Sequence, residues 1–182
     1  NPNTNEIVIA PSKPRNKENM GVVYKVDGTT LEYKETVTVA DSNMRIEAVD
    51  YDTETGQYIL LEKDKSLNYK FVFTDENFQE LYSFDMTGIS KKVVCQDFTT
   101  SGDYMLVLTT PQDDLGGVSG LLVYSKSQGT QLAYYRLHID EMGPQEAESI
   151  AEISPGHILV AVAVKDPRSI AFFETELQAV FK

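Results

Sequence analysis

The chain has one cysteine, Cys95, no tryptophan and two histidines in 182 residues. A lone thiol cannot close an internal disulfide, and zinc modules need more Cys and His ligands than are here. Stapled scaffolds and zinc modules are excluded. Positive charge is also scarce: 16 Lys and Arg stand against 28 Asp and Glu, a net charge of −12. So acidic a chain repels phosphate backbones and anionic lipid surfaces, and no nucleic-acid partner is expected. No apolar run approaches the roughly 20 residues of a membrane helix. The longest candidate, Ile158 to Val164, has the length of a strand, so no membrane insertion is expected. Asn-x-Ser/Thr acceptor sites are missing, as is any basic-plus-apolar leader before the first apolar run. Few cysteines and no tryptophan lean toward a secreted or periplasmic setting without establishing it.

What the chain does have is a hydrophobic fraction of 41%, with 10 Tyr and 8 Phe, enough for one sizeable core. It also has a repeat. Val22-Val23-Tyr24-Lys25, Phe71-Val72-Phe73-Thr74, Leu122-Val123-Tyr124-Ser125 and Ala171-Phe172-Phe173-Glu174 are each followed by a polar turn and a second apolar run. Their aromatic markers Tyr24, Phe73, Tyr124 and Phe173 recur at spacings of 49, 51 and 49 residues. The second runs are Leu31-Glu32-Tyr33, Phe78 to Leu81, Gln131 to Tyr134 and Leu177 to Val180. Ahead of the last three lies another hairpin: Arg45 to Val49 and Tyr58 to Leu61 around Gly56, Val93 to Gln96 and Tyr104 to Leu108 around Gly102, Ser149 to Ile153 and His157 to Val162 around Gly156. These runs alternate and favour Val, Ile, Tyr and Thr, and no 3.6-residue periodicity of helix length occurs. The expectation is an all-β chain of four-stranded antiparallel units.

Four-stranded units of this length resemble the blades of β-propellers over nearly the whole chain. Glu47-Ala48-Val49-Asp50 running to Gly56-Gln57-Tyr58, and Glu148-Ser149-Ile150-Ala151, are similar to the blade openings of NHL-type and gluconolactonase-like propellers. The resemblance implies a β-propeller-like array forming a single domain or segment, with a partial blade at 1–39 and blades at 44–86, 92–138 and 147–182. Residues 1–6 fall on the turn before a second strand at Ile7 to Ala10, so the first blade lacks its innermost strand and fifteen strands are expected. That gap suggests a fragment of a longer chain with more blades.

In such an array the long connections share one face. Pro11 to Met20, Thr109 to Ser119 and Asp140 to Glu146 exceed ordinary hairpin lengths, and long loops on a rigid scaffold are where binding concentrates. Lys13, Arg15, Lys17, Asp113, Asp114, Asp140 and Glu141 are the candidate binding-face residues. The function expected is a non-catalytic protein-interaction or structural scaffold module, with a protein partner or larger assembly, no catalytic residue and no cofactor. The alternative is a metal-dependent lactonase-like hydrolase with a divalent cation such as calcium in a central channel; the resemblance implies Glu47 and Glu148 as its ligands. Asp50 to Gly56 carries alternate oxygens but places Gly seventh and closes with no acid at the twelfth position, so it reads as a β-turn. No Gly-x-Ser-x-Gly occurs near His138 or His157. Glu141 to Glu152, interrupted by Gly143-Pro144, reads as a solvated loop leading into the strand at Ser149.

Overall fold

The computed structural model describes residues 1–11, 20–90, 93–111, 119–137, 145–165 and 168–177. They form fourteen strands: β1 Glu6–Ile9, β2 Val22–Asp27, β3 Tyr33–Thr38, β4 Arg45–Asp52, β5 Gln57–Lys63, β6 Tyr69–Thr74, β7 Glu80–Asp85, β8 Val93–Ser101, β9 Tyr104–Pro111, β10 Ser119–Ser125, β11 Gln131–Leu137, β12 Gln145–Ser154, β13 His157–Lys165 and β14 Arg168–Glu176. All pairings are antiparallel between sequence neighbours, which gives four meander sheets: β1-β2-β3, β4-β5-β6-β7, β8-β9-β10-β11 and β12-β13-β14. The all-β expectation is met, and two of the three complete four-stranded units expected are present among the described residues. Two compact units divide the chain at Met86/Thr87, each holding two sheets.

Asx turns close many of the hairpins. The Asp27 carboxylate accepts the N–H groups of Thr29 and Thr30, Asp64 those of Ser66 and Asn68, and Asp75 those of Asn77 and Gln79. These turns also correct the expected strand starts. Leu31 and Phe78 sit in the left-handed region (φ 59° and 61°) inside the turns, and β3 and β7 begin two residues later. Gly129 fills the corresponding place before β11 at φ 65°, so one backbone conformation is used with and without a Cβ. A second correction concerns the acidic stretch read as loop: its part from Gln145 onward is already strand, paired with Val164, Ala163 and Val162 of β13. The fourth-strand run expected at Leu177 to Val180 lies outside the described residues after Leu177, whose N–H donates to the Gly156 carbonyl.

In the first unit, Val23, Ile46, Tyr58, Leu60, Val72 and Phe78 form the core between the two sheets. Tyr58 stacks on Phe78 with ring centroids 4.6 Å apart, which explains why an aromatic tolerates the left-handed turn position. In the second unit, Leu106, Leu108, Leu121 and Val123 face Ile150, Ile158, Val160 and Val162. Each fully buried aliphatic side chain contributes about 1.5 to 3 kcal/mol.

The first strand of three sheets is interrupted at one place. Register shifts fall at Glu47 between Ile46 and Ala48, at Gln96 between Cys95 and Asp97, and at Glu148 between Ala147 and Ser149. Each is a β-bulge, which adds local twist and re-aims the neighbouring side chains.

Candidate functional surfaces

The bulge in β8 positions a polar group that bridges the two sheets of the second unit. Asp97 directs its Oδ1 to the Phe98 N–H (2.9 Å) and its Oδ2 across to β12, accepting the Ser149 hydroxyl at 2.6 Å and the Ile150 N–H at 3.1 Å. The bulged Gln96 donates its side-chain amide to Thr110 Oγ1 and to Glu146 Oε1, both at 2.8 Å. Further along, Thr99 Oγ1 accepts the Glu152 N–H, and Glu152 Oε1 accepts both the Ser101 hydroxyl and the Gly156 N–H. Four residues of β8 thus fasten one sheet to the next through side chains, at separations of 50 to 53 residues. The aromatic markers drew the sequence reading away from this ladder; the signal that could have found it is the polar run Gln96-Asp97 followed by Thr99 and Ser101, one repeat ahead of Ser149 and Glu152.

Of the residues proposed as metal ligands, Glu47 is the bulge residue of β4 and its side chain is 6% exposed. Both carboxylate oxygens face cations: Arg45 Nη2 lies 3.2 Å from Oε2 and Lys63 Nζ 3.2 Å from Oε1. A divalent ion would have to displace both. Glu148 is the bulge residue of β12 and is exposed. The two belong to different units, and among the described residues no group of three His, Cys, Asp or Glu is arranged to hold a metal. Cys95 is a fully buried thiol of β8. His157 faces Glu174 at 3.5 Å. Glu62, buried on β5 with Lys70 Nζ at 3.4 Å, is pushed above the usual carboxylate range by burial, which the lysine only partly offsets. Burial likewise pushes the phenol of Tyr124 well up.

Lys13, Arg15, Lys17, Asp113, Asp114, Asp140 and Glu141 all lie outside the described residues. The strands that carry their connections are described, however. Because β8–β9 and β10–β11 turn at one end of their sheet, the strand ends Pro111, Ser119 and Leu137 that bound the connections 112–118 and 138–144 all lie at the other end. In the first sheet, Ile9 and Val22, the strand residues on either side of the connection that includes 12–19, lie at the end opposite the β2–β3 turn.

A cavity of about 380 Å³ lies within the second unit, between β10–β11 and β13–β14. Leu121, Ile158 and Phe173 are among the apolar residues that line it, and Ser119, Arg136, Gln145 and Thr175 are its polar members. Two sheet faces are open as well. On β12–β14, Ile170 is 68% and Phe172 65% exposed, and on the first sheet Ile7, Ile9 and Tyr33 are exposed.

No protein-family model matches the sequence, and no curated protein matches it. Among solved structures, the tail fiber of Staphylococcus aureus phage P68 is similar at a TM-score of 0.45 and 9% identity. The match covers 94% of this chain and 47% of that one, so this chain spans about half its length.

Proposed function

We propose that the four sheets are blades of a β-propeller-type array and that the protein works as a non-catalytic interaction module, binding a protein partner through the end of the β8–β11 sheet that carries its long connections. The observation that carries this reading is the strand order: in the β8–β11 sheet, the strand ends that bound the 112–118 and 138–144 connections lie together at one end of the sheet while the other end holds only tight turns. The fifty-residue recurrence and the bulge repeated at Glu47, Gln96 and Glu148 support the blade assignment. Asp113 and Asp114 on the 112–118 connection, with Asp140 and Glu141 on the 138–144 connection, give that end acidic residues. Such an end gains specificity from complementary charge without any reacting group.

The test is site-specific photo-cross-linking in extract from the native source, with the probe at position 114 and, as control, at Gln128, which is exposed in the β10–β11 turn of the same sheet. One stoichiometric protein adduct from position 114 and none from position 128 is expected; equal labelling, or none from either, overturns the reading. EDTA is expected to leave the melting temperature unchanged. A fall of several degrees that calcium reverses would overturn the non-catalytic reading in favour of a metal centre.

A further inference from the structure

The cores of the two units are filled differently. In the first, Tyr58 is the second residue of β5 and Phe78 the first apolar residue after β6, and their rings stack in the core. In the second unit the matching places hold aliphatic side chains, Ile158 as the second residue of β13 and Leu177 as the first apolar residue after β14. Both line the cavity of about 380 Å³. Protein interiors leave few voids larger than a water molecule, and pockets that take small molecules run from about 300 to 1,000 Å³.

The walls of this cavity are graded in polarity along the strands. Leu121, Ala147, Val160, Val162 and Phe173 make its middle apolar. Ser119, Arg136 and Gln145 stand at one end, Ser119 and Gln145 being the first residues of β10 and β12. Thr175, opposite Ile158, stands at the other. At about 3.3 Å per residue, the lining stretch of β13 from Ile158 to Val162 is about 13 Å long.

The polar end has an unspent donor. Ser119 is 3% exposed, and its Oγ accepts the Ala147 N–H at 3.0 Å. Its own hydrogen meets no acceptor among the described residues. A hydroxyl donor held out of water at the wall of a cavity calls for an acceptor inside it. Arg136 alone is charged among the described residues lining the cavity, and it forms no ion pair with any described residue.

We infer that this cavity binds a medium-chain carboxylic acid, its chain along β13 and its carboxylate at the Ser119 end. The aliphatic walls remove the chain from water, which is the driving force. The Ser119 hydroxyl donates to a carboxylate oxygen, and a charged acceptor makes that bond stronger than a neutral one would. The positive charge of Arg136 favours an anionic head over a neutral or cationic one. The site uses residues of one unit, and it rests on neither the blade assignment nor the partner sought at position 114.

Isothermal titration of the folded chain with decanoate, and with decylamine as the cationic probe of equal chain length, tests the inference. One saturable decanoate site is expected, with decylamine at least ten-fold weaker although the net charge of −12 favours the cation. Ile158→Tyr, which gives the second unit the ring that the first has at Tyr58, is expected to abolish decanoate binding; Val160→Phe takes its place if circular dichroism shows it misfolded. Ser119→Ala is expected to weaken decanoate about ten-fold and leave decylamine unchanged. Phe172→Ser, on the exposed face of β14, is expected to bind as the wild type does. No saturable decanoate binding below about 1 mM overturns the inference. So does decylamine binding as tightly as decanoate, an unchanged decanoate affinity in Ser119→Ala, undiminished binding to the filled cavity, or a loss of binding in Phe172→Ser, which would put the chain on the outer face.

Discussion

Replacing Asp97 by alanine removes the group that joins the two sheets of the second unit most directly. Its Oδ2 accepts the Ser149 hydroxyl at 2.6 Å and the Ile150 N–H at 3.1 Å, and its Oδ1 caps the Phe98 N–H at 2.9 Å. A hydrogen bond to an ionised acceptor is worth about 1.5 to 3 kcal/mol when one partner is removed, and less where water can replace it. Ser149 is exposed and recovers a water, so its share is at the low end. Ile150 is 4% exposed, and its amide loses its acceptor in a place where water enters poorly. The sum expected for Asp97→Ala is about 3 kcal/mol, against about 1 kcal/mol for Ser149→Ala, with a coupling near 1 kcal/mol in the double mutant. Asp97→Asn keeps one acceptor oxygen and is expected to fall between them. Two compact units need not unfold together, so a single global midpoint is a poor readout. Native-state hydrogen exchange at the amides of β12 and β13, with urea denaturation alongside, reports the second unit itself. A loss below about 1 kcal/mol in Asp97→Ala, or no coupling to Ser149, would show that apolar packing alone holds the sheets and would refute the reasoning.

Gly21→Ala is expected to cost at least about 3 kcal/mol in chemical denaturation: Gly21 sits at φ +66°, and an added Cβ would lie 2.4 Å from the Ala40 carbonyl oxygen and 2.7 Å from that of Asp41. Leu31→Gly should do the opposite and stabilise by about 0.5 to 1 kcal/mol, because Leu31 holds φ 59° with a side chain 67% exposed; a lower melting temperature would refute this. Burial raises the folded-state pKa of Glu62 above its ordinary value of 4.5, so the folded chain holds that proton to higher pH than the unfolded one. The resulting penalty is absent below about pH 4.5, grows as pH rises through the folded value and is complete above it. Urea midpoints of the wild type and Glu62→Gln between pH 4 and 8 should therefore show the wild type losing ground as pH rises, and a flat difference would refute it.

The parts of this fold that were legible in the sequence are those set by local periodicity. Alternation, turn residues and the spacing of Tyr24, Phe73, Tyr124 and Phe173 are enough to mark antiparallel meanders, because each hairpin is closed by residues adjacent in the chain. Leu31 and Phe78 show where local pattern misleads. An apolar residue after a polar turn reads as the start of a strand, yet the backbone there needs the left-handed conformation that Gly129 adopts without a Cβ to hinder it. In Phe78 the strain is offset by burial and by stacking on Tyr58 and is therefore set by a tertiary contact, which no local window contains.

The Asp97 ladder was hidden for a related reason. Its partners lie about fifty residues away, and the bulge that turns Asp97 toward them leaves no mark in polarity, since the bulged residue is Glu in two sheets and Gln in the third. The same bulge explains why the glutamates suggested a metal. A carboxylate at the bulge of β4 is held between Arg45 and Lys63, while its counterpart in β8 is an amide donating to Thr110 and Glu146. One backbone device thus presents a polar side chain in three of the four sheets, and the surrounding charges decide what it does. A glutamate at this place in the first strand of a sheet marks the bulge, but only its neighbours distinguish a ligand from a structural ion pair. In this chain Glu47 is already flanked by two cations.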